Sequence, residues 1–409
     1  MTPRGALVPL ALGLILGACN SPLAVDVPAW PGGGDLSQTR PLTPAARQAL
    51  EGLYLVEQGQ AQFGDTVVMR WNGSYLGVYT GVNAGYMVMQ AGSTDTSVYV
   101  EGYWRYQNSE RTGLAQMWAA LPVPGSSPLR LTGQYGDGEE HPSHAMAFRF
   151  LRRIKPALLS RPYYFISHHG SGGVPEYLPA SENTVEIARI IERFAANAIE
   201  VDVRISKDGI PFLYHDTGLN WRLTQKGPLV GPAENFTMAQ LKASVRLIRG
   251  EQIPTLREFL DAVVTQTTLS FVYVDLKPSA VDGLPAIVAV QQAALAKAAS
   301  LGRKVQIYLA ITSDEILAKF VTLPGYQQIP TICELGIDKL DQANSQVWSP
   351  RFTQDIPSED IARLHSEGKL AITWTVNVNS FLRQFIEEGL LDGVLTDYTT
   401  LAAYYYFKQ

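Results

Sequence analysis

Near residue 155 the chain changes its hydrophobic period, and that change constrains the fold more than any other feature. Before it, short alternating runs rich in Tyr, Val and Trp recur, including residues 53–56, 66–71, 75–79, 85–89, 98–103, 113–118, 129–135 and 145–150. Turn signals of the Asn-Gly and Asn-Ala-Gly kind separate them. Alternation places apolar side chains on one face of each strand, and regularly spaced, turn-bounded strands imply an antiparallel barrel or sandwich. The eight runs match the number that closes a small barrel. Such a barrel can hold an apolar ligand in its mouth or serve as an interaction module, and its partner is not written in the sequence. His141 and His144, in a polar loop, read as solvated residues.

After Pro156 the pattern becomes apolar runs alternating with amphipathic helices. Residues 163–167, 198–203, 269–275, 305–311, 329–334, 346–349, 370–376 and 393–396 make eight candidate parallel strands, with helical patterns such as 185–196 and 380–388 between them. Eight such units predict a (β/α)₈ TIM-type barrel, in which chemistry gathers at the C-terminal ends of the strands. Polar residues stand there: Ser167-His168-His169, Glu200 and Asp202, Asp275 and Lys277, Trp374-Thr375-Val376-Asn377, Thr396-Asp397.

The predicted organisation is therefore multidomain: a signal peptide over 1–18, a flexible tether over 19–41, a β-rich domain over 42–155 and a TIM-type barrel over 156–409. Residues 6–16 are apolar but too few to span a bilayer, which makes the start of the chain a secretory signal. Leu16-Gly17-Ala18-Cys19 resembles the bacterial lipobox, so Cys19 is the expected lipidation site and the membrane an expected partner. Asn20 after it resembles the pattern of lipoproteins sent to the outer membrane, which places the protein in the bacterial cell envelope, at the outer membrane or on a periplasmic face. The Pro/Gly/Ser-rich stretch after it reads as the tether, and residues 42–53 as a short docked helix. Of the two cysteines, Cys333 lies in an apolar run and reads as a buried hydrophobe. A net charge of −5 gives no basis for phosphate neutralisation, so nucleic acid is not an expected partner.

Glu200 and Asp202 are two apart on a strand and so share a face. Paired carboxylates repel unless a cation or proton lies between them, or one pairs with an arginine such as Arg204. A hard divalent ion, Ca²⁺ or Mg²⁺, suits oxygen ligands, and Asp275 on a neighbouring strand supplies a third. His168 and His215 bracket that pair as candidate acid–base groups, and Lys277 could bind an anionic oxygen. An acid, a base, a metal and a cation form the set that phosphoester cleavage needs.

The ordered combination His168-His169-Gly170, Glu182-Asn183-Thr184, Glu200-Val201-Asp202, Lys207-Asp208-Gly209, His215-Asp216, Asp275-Leu276-Lys277, Trp374-Thr375-Val376-Asn377 and Asp392-Gly393-Val394-Leu395-Thr396-Asp397 resembles the glycerophosphodiester phosphodiesterase family. The resemblance runs from about residue 163 to 400 and leaves the β-rich part outside. It implies metal-dependent hydrolysis of a glycerophosphodiester or lysophospholipid-like substrate to glycerol 3-phosphate and an alcohol. His168 and His215 match its catalytic histidines, Glu200 and Asp202 its metal ligands, Lys277 a lysine at the substrate phosphate, and Trp374 an aromatic wall near the glycerol. Two positions depart from the family pattern. His169 stands where an arginine would hold phosphate, and Asp275 where the third ligand is usually glutamate. Histidine lacks the bidentate fork, and aspartate is one methylene shorter.

Two other functions share these features. One is a phospholipase C- or D-like phosphodiesterase acting on lipid headgroups, distinguished by its product. The other is a catalytically weak, phosphodiester-binding lipoprotein.

Overall fold

The computed structural model describes residues 26–30, 34–121, 129–170 and 178–409. The signal segment and Cys19 lie outside the described residues. Residues 26–30 and 34–41 lie against the folded body. Trp30 donates its indole N–H to the Gly102 carbonyl at 3.1 Å, and Arg249 pairs with Asp26 at 2.5 Å. Strand β1 (Arg40–Pro41) pairs antiparallel with residues 92–93. Within the stretch read as a tether, an indole and a sheet edge thus find partners on the β-rich domain.

Helix α1 (Pro44–Leu50) starts under a Thr43 cap that accepts the Ala46 N–H, and it delivers Leu50 to the core. Strands β2 (Gly52–Gln58), β3 (Thr66–Asn72), β4 (Tyr75–Thr80), β5 (Gly85–Ser93), β6 (Ser97–Tyr106), β7 (Thr112–Ala120), β8 (Arg130–Tyr135) and β9 (His144–Arg152) follow, with one-turn helix α2 (Gln60–Phe63) between β2 and β3. Each pairs antiparallel with the next, and β9 returns to β2, so among the described residues these eight strands close into a barrel. All eight runs read from the sequence fall on these strands. Side chains including Tyr54, Met69, Met89, Trp104, Met117 and Phe148 fill the interior. The two polar tips among them are satisfied: Tyr54 donates to the Leu50 carbonyl and Trp104 to the Gly136 carbonyl, both at 2.8 Å. His141 and His144 are exposed.

After α3 (Pro156–Ser160) comes the second barrel. Its strands are β10 (Tyr164–Ser167) and β11 (Ala198–Ile205), with α4 (Val185–Ile190) between them. An excursion carries β12 (Pro211–Leu213), which folds back on β11, the small pair β13 (Gly218–Leu219) and β14 (Gly231–Pro232), and α5 (Met238–Ser244). The barrel resumes with α6 (Leu256–Gln266), β15 (Phe271–Leu276), α7 (Ala280–Ser300), β16 (Gln306–Ile311), α8 (Asp314–Phe320), β17 (Thr331–Cys333), β18 (Val347–Trp348), α9 (Ser358–Ser366), β19 (Leu370–Thr373), α10 (Asn379–Glu388), β20 (Gly393–Thr396) and α11 (Thr399–Lys408). Among the described residues, eight parallel strands close the ring through β20 and β10. Between β17 and β18 a 3₁₀ turn, Ile337–Lys339, replaces the helix. Cys333 is buried, and burial pushes its thiol up to about 11, so it is inert at neutral pH.

Strand parity decides what points inward. Ile166, Ala198, Phe271, Tyr273, Ile332, Ile372 and Leu395 form the inner layer, whereas Ile199, Val201, Val203, Val272 and Val274 face the helices. Two residues beyond the last of these inner residues on each strand, the same face reaches the C-terminal rim: His168, Glu200, Asp275, Glu334, Trp374 and Asp397.

The barrels share one apolar core. Val68, Tyr79, Tyr86 and Val88 from the first pack with Phe194, Ala403, Tyr404 and Phe407 of the second. Tyr404 Oη meets Thr66 Oγ1 at 2.9 Å, Arg70 lies 4.2 Å over Phe407, and Arg152 donates to the last carbonyls of α11.

Candidate active site

The C-terminal rim of the parallel barrel collects the predicted site. His168 follows β10, and its Nδ1 lies 2.7 Å from Asp397 Oδ1 at the end of β20. Asn377 fixes that carboxylate, donating to Oδ2 at 2.5 Å while its own side-chain oxygen accepts the Asp397 N–H at 2.9 Å. His215, after β12, has Nδ1 2.7 Å from Asp216 Oδ1. Asp216 in turn accepts from Asn220 at 2.6 Å and from Arg222 at 2.7 and 3.0 Å. A carboxylate at Nδ1 selects the tautomer with its proton there and leaves Nε2 as the basic nitrogen. Both histidines are held in this way.

Between them lies His169. Its ring centroid is 3.9 Å from that of His168 and 5.6 Å from that of His215. It is buried, with a left-handed φ of 38°, and its backbone N–H donates to Glu200 Oε2 at 2.7 Å. Burial first, and then His168, hold its pKa well below the ordinary histidine value. It is therefore a neutral ring at neutral pH and supplies no cation. Its Nδ1 is 3.4 Å from Glu182, a buried carboxyl that burial pushes up to about 8 while Arg222 pulls the other way.

Glu200, Asp202 and Asp275 each bring a carboxylate oxygen within 4.8 Å of the others. They converge because Asp202 and Asp275 are register partners on adjacent strands, and Glu200 is one pleat down on the same face. Asp202 accepts from Asn183 at 2.6 Å and pairs with Lys277 at 2.6 Å, and Lys277 also reaches Asp275 at 2.7 Å. Burial works against charge on Asp202, yet Lys277 and the nearby histidines hold its carboxyl below the usual range. Burial, then Asp202 and Asp275, push Glu200 well up. One oxygen of Glu200, Oε1, is buried without a hydrogen-bond partner among the described residues. Three carboxylates against one ammonium leave two formal negative charges, the complement of a divalent cation. Arg204 does not neutralise the pair. Its guanidinium pairs with Glu234 and donates to the Tyr214 and His215 carbonyls.

The structure thus brings together His168, His169, His215, Glu200, Asp202, Asp275 and Lys277. Lys277 sits between two carboxylates, and Trp374, half-buried, donates its indole N–H to the Ser349 carbonyl at 2.8 Å and forms part of the rim. A second ligand-like group, His168, His169 and Asp397, lies beside the first. Several participants carry no assigned role in the sequence reading, Asn183, Glu182 and Asn377 among them. Asp397 and Asp216 follow strand ends and could have been found by parity or adjacency. Glu334, which accepts from Tyr273 at 2.6 Å and is raised by burial and then by Asp275, also follows inner-face parity from Ile332. Arg222 comes from an excursion loop and left no periodic signal.

Several solved structures resemble the chain. A phosphodiesterase of Oleispira antarctica in complex with sn-glycerol-3-phosphate is 19% identical, covering 59% of this chain and 95% of its own, with a TM-score of 0.45. A glycerophosphodiester phosphodiesterase of Parabacteroides distasonis is 16% identical over 61% of this chain and 99% of its own, with a TM-score of 0.47. That of Thermotoga maritima is 19% identical over 59% and 97%, with a TM-score of 0.44. Among curated proteins none matches in sequence. The sequence model of the glycerophosphoryl diester phosphodiesterase family matches residues 168–401, more than half of the chain, and the chain belongs to that family.

Proposed function

We propose that this protein is a metal-dependent phosphodiesterase that hydrolyses glycerophosphodiesters to glycerol 3-phosphate and an alcohol, with His168 and His215 as its proton-transfer pair. The observation that carries the assignment is the pairing of His168 with Asp397 and His215 with Asp216 beside a three-carboxylate cluster. The cluster fits a hard divalent cation, Ca²⁺ or Mg²⁺: its donors are oxygens, and Glu200 Oε1 is buried with no partner among the described residues. Glu200, Asp202 and Asp275 would hold the ion, which when bound would neutralise charge on the phosphate oxygens.

The chain's own groups then have defined tasks. One imidazole takes a proton from the attacking water at Nε2 as the water oxygen bonds to phosphorus. The bond from phosphorus to the alcohol oxygen breaks, and the other imidazole, entering protonated, gives its proton to that oxygen. Asp397 and Asp216 stabilise each imidazolium while it lasts and keep both rings oriented. His169, neutral and buried, lines the space between them without adding charge. Lys277 lies near enough to the carboxylates to exchange a partner for a phosphate oxygen, and Trp374 walls the rim where the alcohol or glycerol would lie.

The lipobox-like Leu16-Gly17-Ala18-Cys19 supports an anchor at Cys19 that holds the enzyme at the cell envelope. Labelled palmitate should enter the wild-type chain and not Cys19→Ser. The activity itself is tested with glycerophosphocholine, with and without chelator and with Ca²⁺ or Mg²⁺ restored. Release of glycerol 3-phosphate that depends on the ion and is abolished in both His168→Ala and His215→Ala is the expected outcome. Absence of turnover on any glycerophosphodiester, with the ion still bound, would sink the reading.

A further inference from the structure

The turn between β6 and β7 of the antiparallel barrel reaches the active-site end of the parallel one. Gln107, on that turn, donates its amide N–H to the Asp397 backbone carbonyl, and its amide oxygen accepts the Thr400 hydroxyl at 3.1 Å. One side chain from the first domain therefore clips both sides of the step from β20 into α11. Asp397 is the carboxylate that holds His168. Every polar group of Asp397 is engaged: Oδ1 by His168, Oδ2 and the backbone N–H by Asn377, and the carbonyl by Gln107. Three of these contacts arise within the parallel barrel, and the fourth comes only from the antiparallel one.

The clip is seated on a rigid base. Trp104, Arg105 and Tyr106, just before Gln107, are buried. Tyr106 donates through its hydroxyl to the Gln62 carbonyl at 2.9 Å, and its backbone N–H donates to Arg111 O at 3.0 Å across the turn. On the receiving side Thr399 donates to the Phe194 carbonyl at 2.6 Å and Thr400 is fully buried. Farther along α11, Tyr404 and the carbonyls of Lys408 and Gln409 are also gripped from the first barrel. The contact at Gln107 thus ends a line of attachment that runs the length of the helix. A side chain held at both ends by fixed elements can set the position of what it touches.

We infer that Gln107 is a positioning residue for the His168–Asp397 pair, and that the antiparallel barrel braces the active-site strand end from outside the catalytic domain. This rests on the reading of His168 as a proton-transfer group. Gln107 touches no reacting atom. It acts by holding the Asp397 backbone, so its removal should lower turnover without weakening substrate binding.

The test is steady-state kinetics on the full-length protein with its metal, using glycerophosphocholine. Gln107→Ala should lower kcat by about three- to tenfold, the worth of one neutral hydrogen bond, with KM within about twofold of wild type. Gln107→Glu keeps the size and the acceptor for Thr400 but points an oxygen at the Asp397 carbonyl, so its kcat should fall at least as far. In an Asp397→Asn background the Gln107→Ala change should no longer affect kcat, because the element it positions has already lost its function. A purely structural role would give the same loss in both backgrounds, and that result overturns the inference. So does unchanged kcat in both Gln107 variants at unchanged Tm. If His168→Ala itself keeps full turnover, the underlying assignment of His168 has failed, a result that the Gln107 variants alone would not give.

Discussion

Among the described residues the chain forms two eight-stranded barrels of opposite logic, and the ligand-like groups of histidines and carboxylates stand at the rim of the parallel one. In the antiparallel barrel successive strands run up and down, so each end is a set of hairpins. Half the strands start and half finish there, and inward side chains have no common end at which to gather. Its interior is accordingly filled with Tyr54, Met69, Trp104 and Phe148. In the parallel barrel every strand finishes on the same side. One extra step of two residues along the inner face of β10, β11, β15 or β20 brings His168, Glu200, Asp275 or Asp397 to a single rim. Direction of strands, not number, decides where a site can form.

The largest expected contrast is between the two interiors under mutation. His168→Ala and His215→Ala should each reduce kcat by about 10²–10⁴-fold with little change in Tm, as measured by product release and thermal unfolding. Loss of stability with preserved turnover per folded molecule would reverse the comparison. Trp104→Ala, in the other barrel, should cost about 3–5 kcal/mol of stability in urea, because a fully buried ring leaves a cavity. Turnover per folded molecule should then fall by less than about tenfold, since Trp104 packs against Phe63, Tyr106 and Tyr135 within its own barrel. Arg222→Ala removes two charge-assisted bonds that hold Asp216 behind His215, and kcat should fall by about ten- to a hundredfold. If KM alone rose, Arg222 would be a substrate contact instead. The smallest effect is expected at Thr255→Ala. Loss of the capping box of α6 should lower stability by about 1 kcal/mol and leave kcat unchanged.

His169 sharpens the point about the rim. Its replacement of an arginine was legible in the sequence, but its state was not. Only the packing shows a neutral ring against Glu182 whose backbone, at a left-handed φ, holds Glu200. His169→Arg would bring a guanidinium to Glu182 and to the space between the histidines, so its kinetics report whether that space tolerates a fixed charge.

Much of the architecture follows from local pattern. The alternating runs before residue 155 and the apolar runs after it fall on the observed strands, because period and turn chemistry are local properties. Helix ends drifted: the pattern at 185–196 is an α-helix to Ile190 and a 3₁₀ helix after it, and the fifth unit has only a 3₁₀ turn. The site was legible where residues sit at strand ends, as with His168, Glu200, Asp202 and Asp275. It was illegible at Arg222, whose place depends on how a long excursion folds over its own small core of Phe212, Tyr214 and Leu241.

The sequence by itself determined an antiparallel β domain, left open as barrel or sandwich, the parallel barrel after it, and the carboxylates and histidines that the parallel strands carry to one end. It did so because side-chain alternation and strand order are fixed by neighbours along the chain. Only the tertiary structure decided which carboxylate holds which histidine, that Lys277 spans Asp202 and Asp275, and that Gln107 of one barrel grips Asp397 of the other. Apart from His215 with Asp216 and Lys277 with Asp275, those contacts join residues far apart in sequence, and their partners are chosen by closure and packing of the whole molecule.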